Sequence, residues 1–199
     1  MSSYKNPSTL TIASPVNVDA EIQRLRDVLA ADLAWLDKSF GKAEMARTNE
    51  DGVDKLYPEV YTGETRKPYQ NVLPNNKLKS QSFFKVNEPL LIADSDTTGG
   101  MMEPNTFILN LGVIFWFDLH KISKEAPYTG LGYRFTEVLL GEVLQSLRLA
   151  GVKVKEVFYT PSQVFAGYTV NHLEQQELKQ PYSGFRVEIE TSFLETCLP

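Results

Sequence analysis

Between Phe107 and Leu119 every odd position is Phe, Leu or Val, while the even positions run Ile108, Asn110, Gly112, Ile114, Trp116 and Asp118. A period of two is the signature of a β-strand, whose successive side chains point to opposite faces. One face of this strand is apolar along its whole length and the other is mixed. Such a strand needs full cover on one side and partial cover on the other, as in the middle of a sheet that carries helices on one face. The same run is interrupted by Asn110 and Gly112 and stopped by Asp118, so it is too short to cross a bilayer as a helix.

The other elements group around this strand. Ile22, Leu25, Leu29, Leu33, Leu36 and Phe40 recur at helical steps. They predict an amphipathic helix capped by Asn17, with Asp19 and Glu21 at its positive end and Gly41 as its stop. Residues 42–55 read as polar and irregular. Strands are expected over 56–61, with Pro58 favouring an edge, and over 81–86, the two forming a hairpin with a long loop. A second helix is expected over 134–149, with Leu140, Val143, Leu144 and Leu147 inward and Gly151 as its stop. A strand over 152–159 ended by Pro161, a short strand over 164–170, and a final strand with Phe185, Val187, Ile189, Thr191 and Phe193 on its buried face complete the list. The predicted fold is α+β: one twisted, mostly antiparallel sheet with the two main helices packed on one face. A single domain over residues 17–199 is expected to follow an extended arm over residues 1–16, rich in Ser, Thr, Asn and Pro. Two long loops, 62–80 and 93–104, exceed what a compact domain needs, and such loops tend to be functional or disordered.

The formal charge of −5 gives the chain no general attraction to nucleic acid, and no specific nucleic-acid binding is expected. The single cysteine, Cys197, cannot form an internal disulfide, which fits a reducing cytosol. The stretch Met1 to Pro7 lacks the apolar core of a signal peptide.

Residues able to do chemistry are scattered. Asp94-Ser95-Asp96-Thr97-Thr98-Gly99 begins like a calcium loop, but Asn105 stands where the bidentate glutamate belongs. A solvated acidic turn is the simpler reading. Gly130-Leu131-Gly132 precedes a helix, yet Phe135 replaces the third glycine of a dinucleotide fingerprint. Asp118 and His120 share one side of a strand end, where a carboxylate can orient an imidazole; His172 is remote, so no second ligand supports them. No nucleophile elbow is present. These absences predict no enzyme activity, no cofactor and no metal. They leave as the alternative a metal-dependent or small-ligand enzyme of unfamiliar type built on Asp94, Asp96, Asp118 and His120. The loop 62–80 carries Arg66, Lys67, Lys77 and Lys79 against Glu64, together with Tyr69. A basic, aromatic-bearing arm of this kind suits contact with an acidic neighbour or with phosphate, and a solvated hairpin kept soluble by its lysines is the equal alternative.

The order of elements resembles the tail-terminator and head–tail connector (neck) proteins of tailed bacteriophages. The resemblance is carried by the amphipathic N-terminal helix followed by Tyr57-Pro58-Glu59-Val60-Tyr61 and by the long strand ending Phe115-Trp116-Phe117-Asp118. The helix with Leu139-Leu140-Gly141-Glu142-Val143-Leu144 and the last strand, Phe185 to Cys197, add to it. It covers residues 17–197, and the long loops depart from the family pattern. It implies a structural protein that assembles in the host cytoplasm and resides in the virion. Such a protein self-associates into a ring and contacts tail-tube or neck proteins, without a membrane. A nonviral binding module of the same fold is the other reading.

Overall fold

The computed structural model describes residues 15–62, 68–74, 77–93, 106–123, 132–169, 179 and 181–194. Helix α1 spans Asn17–Asp32, followed by strands β1 (Lys38–Glu50), β2 (Val53–Tyr61), β3 (Tyr69–Asn71), β4 (Ser80–Ile92) and β5 (Thr106–Asp118). A one-turn helix α2 (Leu119–Ile122) leads toward α3 (Gly132–Leu149), β6 (Lys153–Phe158), a second short helix α4 (Pro161–Val164) and β7 (Tyr182–Leu194). The strands form one seven-stranded sheet in the order β3-β2-β1-β4-β5-β7-β6. Every pairing is antiparallel except β1 with β4. The chain is therefore α+β, with a mostly antiparallel sheet and two substantial helices on one face.

β5 occupies the centre, as its alternation requires. Leu109, Leu111, Val113, Phe115 and Phe117 are fully buried beneath α1 and α3, together with Leu25, Leu29, Leu139, Val143, Leu147, Phe185, Val187 and Ile189. Four rings dominate this layer. Phe185 lies 5.1 Å from Phe115 and 5.7 Å from Phe117, and Trp35 meets the same two rings at 6.2 and 5.6 Å. Tilted and edge-on contacts of this kind each add about 0.5–1.5 kcal/mol beyond the area they bury. Polar bonds tie α3 to α1 and to the turn after it: Ser146 Oγ donates to Asp32 Oδ2 at 2.7 Å, and Trp35 Nε1 donates to Glu142 Oε2 at 2.9 Å.

The opposite face carries a smaller core of Phe40, Val60, Val72, Phe83, Ile114 and Trp116, roofed by Val164, Phe165 and Tyr168. Tyr182 stacks on Trp116 at 5.5 Å. Burial, aided by the charge of Glu44, pushes the Tyr168 phenol up to about 12.

Several expectations are corrected. The first helix ends at Asp32, not near Gly41, and its cap position is Val16. Asn17 instead has a left-handed φ of 54°. The chain leaves the helix because tertiary partners capture it: Ser80 Oγ donates to the Trp35 carbonyl and accepts the Asp37 N–H. Phe40 then packs on the far face of the sheet, so its helical spacing from Leu36 is coincidental. Residues 42–55 are not irregular but form most of a hairpin. Glu50 pairs with Val53 across Asp51-Gly52, both at positive φ (55° and 80°), which is the two-residue turn matched to strand twist. β2 and β4 are not neighbours, because β1 lies between them. The expected strand over 164–170 is a turn that follows α4, which begins at Pro161. The expected arm over residues 1–16 lies, apart from Pro15 and Val16, outside the described residues.

Candidate interaction surface

β1 and β4 run parallel and pair only through Lys38–Gln81, Ser39–Ser82 and Lys42–Phe84, with a bulge before Lys42. Both strands continue well past that point. β1 follows β2 into the hairpin, and β4 follows β5, with its own irregularity between Asn87 and Leu91 around a cis Glu88–Pro89 peptide. The strands therefore part, and a cleft of about 600 Å³ opens where they separate. Its apolar lining comes from Val86 and Leu109 of the sheet, from Val16 and Val18 at the start of α1, and from Pro89 and Leu90 on the β4 side. Asp19, Lys42 and Glu88 supply the charge.

The cleft is predominantly acidic. Lys42 Nζ lies 2.7 Å from Glu44 Oε1. That hydrogen bond holds the ammonium above the ordinary lysine range against the cost of burial, and the charges of Glu44, Asp19 and Glu88 add to it. The field of three carboxylates thus converges on one cation. On the β4 side of the cleft, Leu90, Leu91 and Ile92 are 41, 46 and 62% exposed in succession. Leu90 is part of the cleft lining, and Leu91 and Ile92 follow it along β4, where successive side chains alternate between the two faces of the sheet.

A second polar feature occupies the sheet face opposite the helices. Arg186 Nε lies 2.8 Å from Glu188 Oε1, and Asn87 Nδ2 donates to Glu188 Oε2. The Arg186 contact is short but poorly aligned, leaving that N–H without a true hydrogen bond, so it acts as an ion pair. The guanidinium rests 4.6 Å from the centre of the Phe158 ring. Lys85 Nζ donates to the Ala166 carbonyl at 2.9 Å. Burial lowers the Lys85 pKa, helped by Arg186, and burial raises that of Glu188 despite the opposing charge of Arg186. Oppositely displaced groups can signal acid–base chemistry. Here Lys85 is committed to tying down the turn over the second core, and Glu188 to Asn87 and Arg186. The cluster reads as a structural network on a partly covered face.

The residues singled out from the sequence are distributed as follows. Arg66 and Lys67 lie outside the described residues, as do Asp94 and Asp96. Tyr69 is on β3 at the sheet edge, 43% exposed and edge-on to Tyr61 at 5.7 Å. Lys77 is exposed and Lys79 half-buried, just before β4; the Lys79 carbonyl accepts the Asp118 N–H. Asp118 is buried, and its carboxylate caps α2 by accepting the His120 backbone N–H at 3.0 Å. Lys121 Nζ is 3.5 Å from the same carboxylate and donates to the Leu78 carbonyl. The Asp118–His120 spacing is thus a helix-capping arrangement. Among the described residues no group of three or more His, Cys, Asp or Glu is placed to hold a metal ion. No helix among them is long and apolar enough to cross a membrane. The cleft residues were missed by sequence reasoning, although Pro89 inside a strand, followed by Leu90-Leu91-Ile92, marks the place where pairing is interrupted.

Compared with known proteins, the sequence matches no family model and no curated protein.

Proposed function

We propose that the chain is a structural assembly subunit that works by protein–protein contact, as a self-associating component of a phage tail end or neck. The observation that carries this reading is the parting of β1 from β4, which leaves an apolar, acid-rimmed cleft beside three exposed aliphatic side chains. A sheet that stops pairing midway along two continuing strands has backbone groups to offer a neighbour. The two outer strands differ as contacts: β3 has only three residues, whereas β6 presents Lys153, Lys155 and Glu156, charges that discourage unspecific edge pairing. A surface of this kind suits heterologous contact, in which one patch of a subunit meets a different patch of the next and a ring closes. The resemblance in element order to tail-terminator and neck proteins supports the same reading, with tail-tube or neck proteins as the further partners and the virion as the location.

Light scattering on a sizing column over a range of concentrations, alone and mixed with a tail-tube protein, tests the proposal. The expected result is a discrete multiple of the 22.5 kDa chain or a stable complex with the tube. A strict monomer that ignores the tube at every concentration would sink it.

A further inference from the structure

The helix side of the sheet is covered unevenly. α1 and α3 pack on side chains of β4, β5 and β7, whereas the β1–β2 hairpin and the edge strand β3 extend to one side. Ala43 and Val60 stand opposite each other and belong to the second core. Their neighbours Glu44 and Glu59, also directly opposed, therefore lie on the helix side. Tyr61, two residues beyond Glu59, shares that side and is opposed by Tyr69. The two rings meet edge-on at 5.7 Å and are 60 and 43% exposed. Beyond the helices this face thus carries tyrosines and carboxylates in place of aliphatic side chains.

The charges on this face do not balance. Lys42 is engaged by Glu44, and Lys55 by Glu50. The Glu59 carboxylate has no ionic or hydrogen-bonding partner among the described residues. Asp19 and Glu88, at the adjoining cleft, act on the same Lys42. Two carboxylates directly opposed on neighbouring strands destabilise a sheet. The cost is carried beside two exposed tyrosine rings, and tyrosine faces and carboxylates share one preferred partner, the planar guanidinium. We propose that the helix-side face of β1, β2 and β3 docks an arginine-bearing segment of a partner protein, its guanidinium paired with Glu59 and lying against Tyr61 and Tyr69. Asp19 and Glu88 draw further basic residues of the same segment. This rests on the reading of the chain as a contact subunit and states the chemistry of the partner it takes up: basic, where this chain has a formal charge of −5.

The test is a titration of the isotope-labelled full chain with a hexa-arginine peptide at near-physiological salt, read by NMR at the tyrosine rings and the backbone. Shifts are expected at Tyr61, Tyr69 and Glu59. Glu59→Gln and Tyr61→Ser are each expected to weaken binding about threefold, and hexalysine to bind at least about twofold more weakly than hexa-arginine. Glu156→Gln, an exposed carboxylate lost from β6 at the other edge of the sheet, should change binding by less than about 1.5-fold. Glu59→Gln should also raise the thermal unfolding midpoint, because it removes a like-charge pair. No binding, shifts elsewhere, or an equal loss in Glu156→Gln overturns the proposal. So does a lowered midpoint in Glu59→Gln, which would make Glu59 a structural residue. The same shifts on concentrating the chain alone would assign the face to a second copy and overturn it. Assembly on the sizing column with no peptide bound at this face overturns it and leaves the assembly reading standing. A strict monomer that binds the peptide here as expected keeps this face and removes the self-assembly.

Discussion

The two faces of the sheet are built by the same strands and bury their side chains in different ways. Under α1 and α3, β5 and β7 present an unbroken hydrocarbon layer in which Phe115, Phe117 and Phe185 are completely buried. On the other face the same strands present Trp116 and Ile114 at one end, Arg186 opposite Ile114, and Gly112, Glu188 and Asn110 toward the other end. Cover explains the difference. The helices span the first face, while a single turn, residues 161–168, roofs the second, anchored by Phe165, Tyr168 and the Lys85 bond to Ala166. A strand face gains from apolar side chains only where something excludes water above it, so the uncovered half of the second face is charged.

The contrast can be broken most sharply on the helix side. Phe115→Ala should cost about 4 kcal/mol, because the cavity would be walled by Trp35 and Phe185 and could not refill with water. Urea unfolding measures this. A loss under about 1 kcal/mol would mean that the layer is loosely packed.

The next effect concerns a buried carboxylate in the first turns of α1. Glu21 is 8% exposed, accepts from Thr191 Oγ1 at 2.6 Å and holds Arg24 in a two-pronged pair. Burial alone would raise its pKa, but the bonds from Arg24 and Thr191 and the charge of Arg24 outweigh that and lower it. Its stabilisation is therefore present above the ordinary carboxylate pKa and is lost as pH falls through the lowered value. Glu21→Gln is expected to cost about 2 kcal/mol at pH 7 and progressively less in acid. Unfolding curves across the acid range would show parallel slopes for the two proteins if the idea were wrong.

A smaller effect is expected on the second face. Gly167 has φ 94°, and a Cβ there would sit 3.0 Å from Lys85 Nζ. Gly167→Ala should cost about 1–2 kcal/mol through backbone strain. It should also loosen the roof enough to quicken hydrogen exchange at Phe165 and Tyr168 but not at α1. Uniform protection in both regions would show that the two cores unfold as one. The smallest change is expected at the cleft: Leu90→Arg should alter the unfolding free energy by no more than about 0.5 kcal/mol, since the side chain is already 41% exposed. A large loss would place Leu90 in the core and not on a contact surface.

How far the sequence could be read follows the same division. β5, α3 and β7 were legible because their periods are long and uninterrupted and because Gly151, at φ 77°, ends α3 as a left-handed stop. The end of α1 was not, since Leu33, Leu36 and Phe40 keep a helical spacing while being buried by three different devices: a helix end, a turn and a strand. The β1–β2 hairpin was legible in principle from Asp51-Gly52, although its outer part, residues 47–54, is exposed throughout and carries no apolar alternation. Of the residues first chosen as a contact arm, Tyr69 and Lys77 are exposed, and the cleft lies elsewhere.

Local pattern determined which segments bury a face, because hydrophobic period and turn chemistry act over a few neighbouring residues. It determined the α+β class and the central strand. Only the tertiary structure decided that β1 enters between β2 and β4, that it runs parallel to β4, and that the two then separate. Those outcomes depend on Ser80 seizing the chain at Trp35, forty-five positions away, and on Phe40 finding the far core, contacts for which no short-range pattern exists.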